Sequence, residues 1–419
     1  MRSSSMPLKT LSTLFMSMGA LSAHAAGFQL FEQNNSGLGN AYAGSAAIAE
    51  NASTIYFNPA GMSLLDGINV SGGVSLIKPS FKFSDSGLSR NPTALGGGRP
   101  TGGSGGDPAT LGVVPNGYVS WQLDNRWHVG LGLGAPFGSM TKYDAGWAGQ
   151  YQSRKFDVKT YNVNPSVSYR VTETFSLGAG VNWQRLEAEY ERQAILPGGL
   201  LTPADVNMSG DAWGWNAGAM WQATDKTRIG LSYRSKVRHK VDGSTEVGPL
   251  KVDAKTSVDF PDTAILSLVQ NLNSRWDLLA DVSWTGWSSL PELRIRNSGG
   301  LPDDALKLEF NDAWRIAVGA NYKINDAWKW KVGVAWDQTP VSSPRYRPVS
   351  LPDNDRWWFA TGIQWQATKS TTIDLGYSYL YLDKTKINND GENQVQKGLV
   401  NGQYKSHGNV VGLQVSSRF

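Results

Sequence analysis

The side chains that most often carry chemistry are sparse in this sequence. Its 419 residues include no cysteine and four histidines, which excludes cysteine catalysis, zinc–thiolate sites and a disulfide-stapled scaffold. His24, His128, His239 and His407 are scattered, without the H-E-x-x-H or H-x-x-E spacing of metal ligands. The sequence also lacks a G-x-S-x-G elbow for a nucleophilic serine. It therefore predicts neither a metal site nor an enzyme.

A glycine pair near the N-terminus, Gly37 and Gly39, is the one candidate for a phosphate-binding loop. It lacks the following Lys-Ser or Lys-Thr and the preceding strand of such loops, so we interpret it as a tight turn. The 39 basic and 35 acidic residues are interspersed and the net charge is only +4. We therefore expect no cofactor and no nucleic-acid partner.

The first 25 residues have the layout of a secretory signal peptide. Arg2 and Lys9 supply positive charge, residues 11–21 are mostly apolar, and Ala23-His24-Ala25 forms an A-x-A cleavage site. The apolar run is shorter than the ~20 residues that a helix needs to cross a bilayer. The sequence thus predicts export of the chain, and no later apolar run is long enough to predict a spanning helix.

From residue 68 to residue 419 the chain alternates between apolar residues and small or polar ones. A period of two is typical of strands whose two faces meet different surroundings. Two strands show it most clearly, with these residues on one face of each: Trp213, Trp215, Ala217, Ala219 and Trp221 in the first, and Ile373, Leu375, Tyr377, Tyr379 and Tyr381 in the second.

The connections between these strands alternate in length as well. A closed transmembrane barrel requires this, because every second connection is a tight periplasmic turn and the others face outward. The short, polar turns are 124–126, 172–174, 224–226, 271–274, 325–326 and 368–369. The long loops, rich in Gly, Pro, Ser and Asp, fall near 82–115, 140–153, 194–210, 241–256, 296–305, 338–354 and 384–402. This pattern predicts an all-β, antiparallel transmembrane barrel of about 14 strands.

Aromatic residues beside the short turns support a position in a membrane. Rings with an apolar body and a polar tip suit the headgroup level of a bilayer. The terminal Phe419 follows Val411, Leu413 and Val415 on one strand face, as in the tail that the outer-membrane assembly machinery reads. A soluble β-sandwich is the alternative for any single strand. For the whole set we predict a multi-pass barrel in the outer membrane of a Gram-negative cell, in contact with its lipid. The aromatic residues concerned are Trp121, Trp127, Phe175, Trp221, Trp276, Trp328 and Trp365.

Residues 26–67 do not alternate and precede the barrel. They combine a run of small residues, Ala43 to Ala52, with the turn sequence from Asn58 to Met62. About 40 residues of compact helix and turn are too few to form a domain and cannot pair into the sheet. We therefore expect an N-terminal plug inside the barrel lumen, followed by the barrel over 68–419.

Several stretches of this chain resemble the FadL-type long-chain fatty-acid transporters of Gram-negative outer membranes. Residues 26–60, AGFQLFEQNNSGLGNAYAGSAAIAENASTIYFNPA, are similar to the start of the mature family members. FPDTAILS at 260–267, FNDAWRIAVG at 310–319 and LPDNDRWWFATG at 351–362 agree with later family segments. The resemblance covers nearly the whole mature chain. It implies a monomeric barrel of 14 strands whose lumen is closed by an N-terminal hatch, and it extends to a branch that takes up hydrocarbons.

The resemblance also implies positions for a ligand. Arg192, in Glu189-Tyr190-Glu191-Arg192, matches the arginine that holds the ligand carboxylate in the family. The family's second cation falls at Leu306 in an ungapped alignment, which makes its neighbour Lys307 the candidate. Phe28, at the tip of the hatch, is expected to meet the bound ligand.

A wall interruption is expected in the third strand. Proline cannot donate to a sheet ladder and glycines hold no register, so Gly134, Pro136, Phe137 and Gly138 predict a kink. In the family such a kink opens a lateral gap beside the hatch, while an ordinary bulge is the alternative. We expect a shift of the hatch, near Phe28 and Asn58-Pro59-Ala60, to connect a ligand pocket to this gap.

The sequence leaves more than one transport function open. Passive uptake of long-chain fatty acids is the first hypothesis. Uptake of aromatic or aliphatic hydrocarbons by the same route is the second, since such substrates need no cationic partner. A general porin, which needs no plug, and an outer-membrane lipid hydrolase are the remaining alternatives.

Overall fold

The structure is a computed structural model that describes residues 27–419, so the predicted signal peptide, 1–25, lies outside the described residues. No helix in the described part of the chain is long and apolar enough to cross a membrane. Short 3-10 helices occur at Leu38–Asn40, Pro59–Leu64, Thr93–Leu95, Pro197–Gly199 and Trp287–Ser289, and single α-helical turns at Thr54–Phe57 and Gln394–Lys397. The strand segments within residues 27–419 are β1 Ile68–Asp85, β2 Gly112–Gln122, β3 Trp127–Gly134, β4 Gly138–Lys142, β5 Lys155–Arg170, β6 Phe175–Ile195, β7 Leu201–Thr224, β8 Thr227–Arg234, β9 Val237–Val247, β10 Leu250–Phe260, β11 Thr263–Asn271, β12 Trp276–Thr285, β13 Glu292–Asn297, β14 Asp304–Lys307, β15 Ala313–Lys323, β16 Trp328–Asp337, β17 Arg356–Gln366, β18 Thr371–Leu382, β19 Thr385–Asn389 and β20 Val400–Arg418.

These segments form one closed barrel of 14 antiparallel wall strands. Four wall strands are interrupted and consist of two segments each, namely β3 with β4, β8 with β9, β10 with β11, and β18 with β19. The β13–β14 hairpin extends the connection between β12 and β15. β1 pairs with β20 along residues 69–85 and 402–418, which closes the sheet. The predicted barrel of about 14 strands is confirmed.

The two faces of the wall differ as predicted. In β7 the side chains of Trp213 and Trp215 are exposed, whereas Asn216 is buried. In β18 Leu375 is exposed and Asp374 is buried. An outward apolar and aromatic band around a polar interior is the pattern of an outer-membrane barrel.

The six predicted short turns all connect neighbouring wall strands. In the first, the Asp124 carboxylate accepts hydrogen bonds from the backbone N–H groups of Arg126 and Trp127 at 2.7 and 2.8 Å. Asn273 and Asn325 form the same arrangement in two later turns. The side-chain oxygens of Asp and Asn at these positions stabilise tight turns by accepting from backbone N–H groups two and three residues later. Because this interaction is local, the turns could be predicted from the sequence.

Two of the predicted long loops are wrong. Residues 194–210 and 241–256 are mostly strand, because β6 and β7 pair up to Ile195 and Leu201, and β9 and β10 pair up to Val247 and Leu250. A strand of 21 residues reaches about 70 Å at 3.3 Å per residue, far beyond the ~30 Å apolar core of a bilayer. Above the membrane both strand faces can be polar, so the apolar–polar alternation weakens although the ladder continues.

The segment before β1 is buried against many wall strands. The carboxylate of Asp281 in β12 accepts from the Gly44 backbone N–H at 2.8 Å and from Ser45 Oγ at 2.6 Å. The Asn35 backbone N–H donates to Gln414 Oε1 of β20 at 2.8 Å. Gly39 lies against the wall so closely that a Cβ there would be 2.8 Å from the Cα of Gly362. The close approach to the wall explains why glycine occupies this position.

Candidate functional site

An apolar pocket lies in the outer half of the barrel, where inward-facing residues of β5, β6, β7, β9 and β10 meet the β13–β14 hairpin. Its empty volume is about 870 Å³, including its opening to solvent. The β6–β7 hairpin is long, and its residues that face the pocket are mostly apolar. The pocket therefore lies on the outer side of the buried N-terminal segment. Its apolar lining is formed by Phe28, Phe156, Val158, Leu186, Ala188, Val206, Met208, Val241, Val258, Phe260, Leu293, Ile295, Ala305 and Leu306.

Phe28 and Phe260 line the floor of this pocket, and three aromatic rings surround Phe28. The Phe28 ring centroid lies 4.8 Å from that of Trp287, 5.2 Å from that of Phe260 and 5.9 Å from that of Phe137. Phe28 is buried and its side chain lines the pocket. The structure thus places Phe28 where the resemblance implied it, and its contact with a ligand stays a prediction.

A cluster of three charged side chains closes one end of the pocket. Asp304 Oδ2 accepts a hydrogen bond from Arg192 Nε at 2.8 Å, and Asp304 Oδ1 lies 2.6 Å from Lys397 Nζ. The three side chains are at most 16% exposed. Burial on its own would raise the pKa of the Asp304 carboxyl, but the positive charges of Arg192 and Lys397 outweigh it and lower this pKa to about 2. Two cations thus share one carboxylate, and the cluster keeps a net charge of +1.

The structure places the two predicted cations differently. Neither Arg192 nor Lys307 lines the pocket itself, but Arg192 pairs with Asp304, which does. The Lys307 amine lies 3.6 Å from a Glu392 carboxylate oxygen, and its side chain is 47% exposed. Leu306 faces the pocket, and successive residues of a strand point to opposite sides. Lys307 therefore lies one residue away from the position that a second pocket cation would need.

Lys397 and Asp304 were missed by the sequence analysis. Lys397 belongs to the helical turn Gln394–Lys397 in the loop before β20, and it also donates to the backbone oxygen of Ala305 at 3.1 Å. Asp304 lies in a stretch interpreted as a polar loop. A single lysine in a polar loop, 93 positions from its partner, carries no local signal in one sequence.

The third wall strand is interrupted where the sequence predicts a kink. β3 ends at Gly134 and β4 begins at Gly138, and Pro136 directs its backbone oxygen inward, where it accepts from the Leu30 N–H at 2.8 Å. The Gly138 N–H donates to the Phe28 oxygen at 2.9 Å. The β2–β3 ladder stops at Gly117 and Leu133. Among the described strands, residues 112–116 of β2 therefore pair with β1 alone.

The Asn58-Pro59-Ala60 turn lies near the short-turn end of the wall, away from Phe28. The Asn58 amide donates to the oxygens of Ala46 and of Ala219 in β7, at 2.7 and 2.9 Å. Ala60 packs so tightly on β6 that a Cβ on Gly178 would lie 2.3 Å from the Ala60 nitrogen. These contacts anchor the segment to the wall, and a part for this turn in gating stays a prediction.

Within residues 27–419 no three Asp, Glu or His side chains are grouped closely enough to hold a metal ion. The arrangement offers a different chemistry. A long apolar cavity removes an alkyl chain from water, and an excess cation at its end attracts an anionic head group.

Known proteins of similar sequence are outer-membrane proteins. The family model described as "Outer membrane protein transport protein (OMPP1/FadL/TodX)" matches residues 16–419. Outer membrane protein P1 of Haemophilus influenzae is 30% identical over 449 residues, which cover 96% of this chain and 97% of that protein. The long-chain fatty acid transport protein of Salmonella typhi is 28% identical over 418 residues, covering 91% and 94% of the two chains.

Solved structures agree with the sequence comparisons. The crystal structure of a Pseudomonas aeruginosa FadL homologue superposes with a TM-score of 0.88 at 25% identity, over 94% of this chain and 100% of that chain. The P. putida toluene transporter TodX shares the fold, with a TM-score of 0.67 at 18% identity over 88% and 94% of the two chains. By sequence and by fold, this chain belongs to the OMPP1/FadL/TodX family of outer-membrane transport proteins.

Proposed function

We propose that this protein takes up hydrophobic compounds passively across the outer membrane, and that long-chain fatty acids are its principal substrates. The observation that carries the proposal is the pairing of a large apolar pocket with a buried, net-positive cluster at one end. Burial of an alkyl chain contributes ~0.8 kcal/mol per CH₂ group. A buried carboxylate needs a cation, because its desolvation without one costs far more.

The charge balance of the cluster fits one fatty-acid head group. Arg192 and Lys397 already neutralise Asp304, and one positive charge remains. A second carboxylate can therefore join without leaving an unpaired buried anion. We propose Arg192 and Lys397 as the cations that hold the ligand, in place of the predicted pair of Arg192 and Lys307.

We further propose that residues 27–65 form a hatch in the lumen. Their contacts with wall strands from β2 to β20 support this placement. The route then leads from the pocket past Phe28 to the interrupted wall at residues 134–138. Two backbone hydrogen bonds support this route: the Leu30 N–H donates to Pro136, and the Gly138 N–H donates to Phe28. Movement of residues 28–30 would therefore change the wall gap and the pocket floor together. A hydrophobic solute could then leave sideways into the bilayer.

Uptake of neutral hydrocarbons is the second candidate function. Both pocket cations are already paired with Asp304, and the rest of the lining is almost wholly apolar. A neutral solute would thus meet an apolar surface over most of the lining. Several solved structures of the same fold are described as toluene or monoaromatic hydrocarbon channels.

The two functions are separable by charge-removing variants. Uptake of labelled oleate and of toluene is measured in cells that lack their own fatty-acid transporter and produce the protein. For fatty-acid uptake, Arg192→Gln and Lys397→Gln are each expected to reduce oleate uptake about tenfold or more, since a hydrogen bond to a charged group contributes ~1.5–3 kcal/mol. Toluene uptake is expected to stay unchanged.

Lys307→Gln is the matched control, because Lys307 belongs to the β13–β14 hairpin but does not line the pocket. It is expected to leave oleate uptake within twofold. If all three variants take up oleate as well as the original chain does, the fatty-acid hypothesis fails and the hydrocarbon hypothesis gains.

A further inference from the structure

A second cavity lies deeper in the barrel, directly below the pocket floor. Its empty volume is about 370 Å³. Phe28 lines the outer pocket, whereas the next residues, Gln29, Leu30 and Phe31, line this inner cavity. Residues 28–30 therefore separate two chambers, and they are the residues that bond to the interrupted wall strand.

Arg234, at the end of β8, brings a positive charge into the inner cavity. Its guanidinium donates to the Tyr56 backbone oxygen at 2.9 Å and to Asn182 Oδ1, and it lies 4.3 Å from the centroid of the Tyr56 ring. All of these partners are neutral. In the part of the chain that the structure describes, no carboxylate lies within 4.0 Å of Arg234, in contrast to Arg192 and Lys331.

Asparagine side chains connect Arg234 to the interrupted wall. Asn162 donates to Asn182 Oδ1 at 3.2 Å, and Asn182 donates to Asn216 Oδ1 at 2.9 Å. The Asn216 amide nitrogen itself has no hydrogen-bond partner within residues 27–419, although the side chain is only 1% exposed. Asn162 pairs in register with Gly134, the last residue before the kink. A row of polar groups thus runs from the inner cavity to the wall gap.

We propose that Arg234, with this asparagine row, is a second carboxylate-binding site between the outer pocket and the wall gap. The inference rests on the proposed uptake of fatty acids. An acid that leaves Arg192 and Lys397 must cross the barrel interior, where an unpaired carboxylate is strongly disfavoured. A guanidinium presents paired donors that match a carboxylate, and no carboxylate of residues 27–419 lies within 4.0 Å of this one. The site binds alkyl carboxylates, whereas neutral analogues gain no ionic interaction from it.

The full-length Arg234→Gln variant tests the site. Three quantities are compared with the original chain: cellular uptake of labelled oleate, cellular uptake of labelled methyl oleate, and equilibrium binding of oleate to the purified protein. Oleate uptake is expected to fall about tenfold or more. Methyl oleate uptake and oleate binding are expected to stay within twofold, because the ester has no charge and the outer pocket is intact.

Arg228→Gln is the matched control. Arg228 lies on the same strand, donates to the oxygens of Ala47 and Ile48 in the N-terminal segment, and has no carboxylate within 4.0 Å among the described residues, but it does not line the inner cavity. It is expected to affect oleate and methyl oleate equally, if at all. Arg234→Lys keeps the charge and is expected to recover part of the oleate uptake.

Two results would overturn the inner site. One is unchanged oleate uptake by Arg234→Gln, and the other is an equal loss of oleate and methyl oleate uptake, which indicates that Arg234 only anchors Tyr56. Failure of the original chain to take up oleate would instead remove the proposed function itself, and the inner site with it. The heat-modifiable electrophoretic mobility of the folded barrel shows whether each variant has folded.

Discussion

The two ends of the N-terminal segment are held to the barrel by different kinds of contact. In the base, residues 35–50, Glu50 pairs with Lys331 at 3.0 Å, and Lys331 pairs with Asp374 of the wall at 3.0 Å. In the tip, residues 27–31, the Gly27 N–H donates to Asp353 Oδ2 at 3.0 Å, Gln29 bonds to two threonine hydroxyls at 3.2 Å and Phe28 packs among aromatic rings. The tip itself contains no charged side chain. Separating buried ions exposes each to a low-dielectric interior, whereas neutral groups and rings separate at lower cost. This difference supports the proposal that the tip is the part that a ligand moves.

The tip is also the part that a ligand would touch. Phe28 lines the outer pocket, and the next three residues line the inner cavity. A ligand shifts such a segment only as far as its affinity for the two positions differs. We expect Phe28 to supply that difference, because it lines the pocket and a bound ligand would meet its ring. None of residues 35–50 is among the residues that line the pocket, which supports the proposal that the base is a fixed seal.

The largest expected effect comes from removing one end or both. Deletion of residues 27–60 should change a closed barrel into an ion-conducting one, because it removes the proposed hatch from the lumen. Deletion of residues 27–31 alone should leave the barrel closed to ions and raise oleate uptake. Conductance in planar bilayers checks both variants. If the shorter deletion conducts as well as the longer one, the division between base and tip is wrong, and if neither conducts, the segment is not a seal.

The next effect is the loss of a buried cation in the base. Lys331→Met leaves Glu50 and Asp374 without their shared partner, and removal of one member of a buried ion pair costs about 3–5 kcal/mol. Lys329→Met is the matched control: Lys329 pairs with Glu50 at 2.7 Å, but it is 27% exposed and has no second carboxylate within 4.0 Å in residues 27–419. We expect a loss of about 1 kcal/mol or less for this partly exposed pair. Unfolding of the purified barrels by denaturant measures both, and equal losses would contradict the special status of Lys331.

The contrast between base and tip also marks what one sequence can predict. The barrel, its closure and its six short turns were predictable because strand alternation and Asx turns act over a few residues, as at Asp124 and Asn325. The kink at Pro136 was predictable for the same reason, because a proline cannot donate a hydrogen bond to the ladder of its own strand. These are local rules that need no partner from elsewhere in the chain.

The partners across the barrel could not be predicted in the same way. Lys397 reaches Asp304 only because two loops meet above the barrel, and Lys307 differs from a pocket position by one residue of strand register. Arg234 reads as an ordinary basic residue at a strand end until the wall brings Asn182 beside it. Register and loop packing decide these contacts, and neither is encoded in a short stretch.

A smaller effect, on the affinity for oleate, is expected at the cluster of Arg192, Asp304 and Lys397. Its charge balance differs from that of both the base and the tip. The base cation Lys331 is shared by two carboxylates, whereas Arg192 and Lys397 share one. Asp304→Asn raises the net charge of the cluster from +1 to +2 and removes the competitor of a ligand carboxylate. Oleate should bind about tenfold more tightly, which corresponds to about 1.4 kcal/mol, and methyl oleate should bind as before. Isothermal titration on purified protein distinguishes this from a general loosening of the pocket, in which both ligands would change together.

The smallest effect is expected from the neutral contacts of the tip. Gln29→Met keeps the length of the side chain but removes its hydrogen bonds to Thr263 and Thr285, each of which is 3.2 Å long. Neutral hydrogen bonds contribute about 1 kcal/mol each, so the tip should be held less firmly against the wall and its position should shift. Oleate uptake at low concentration should rise by up to about fivefold. Gln414→Met removes a comparable neutral bond at the base, where Asn35 donates at 2.8 Å, and it should not raise uptake. A fall in uptake with Gln29→Met, or an equal rise with Gln414→Met, would mean that the tip does not gate the route.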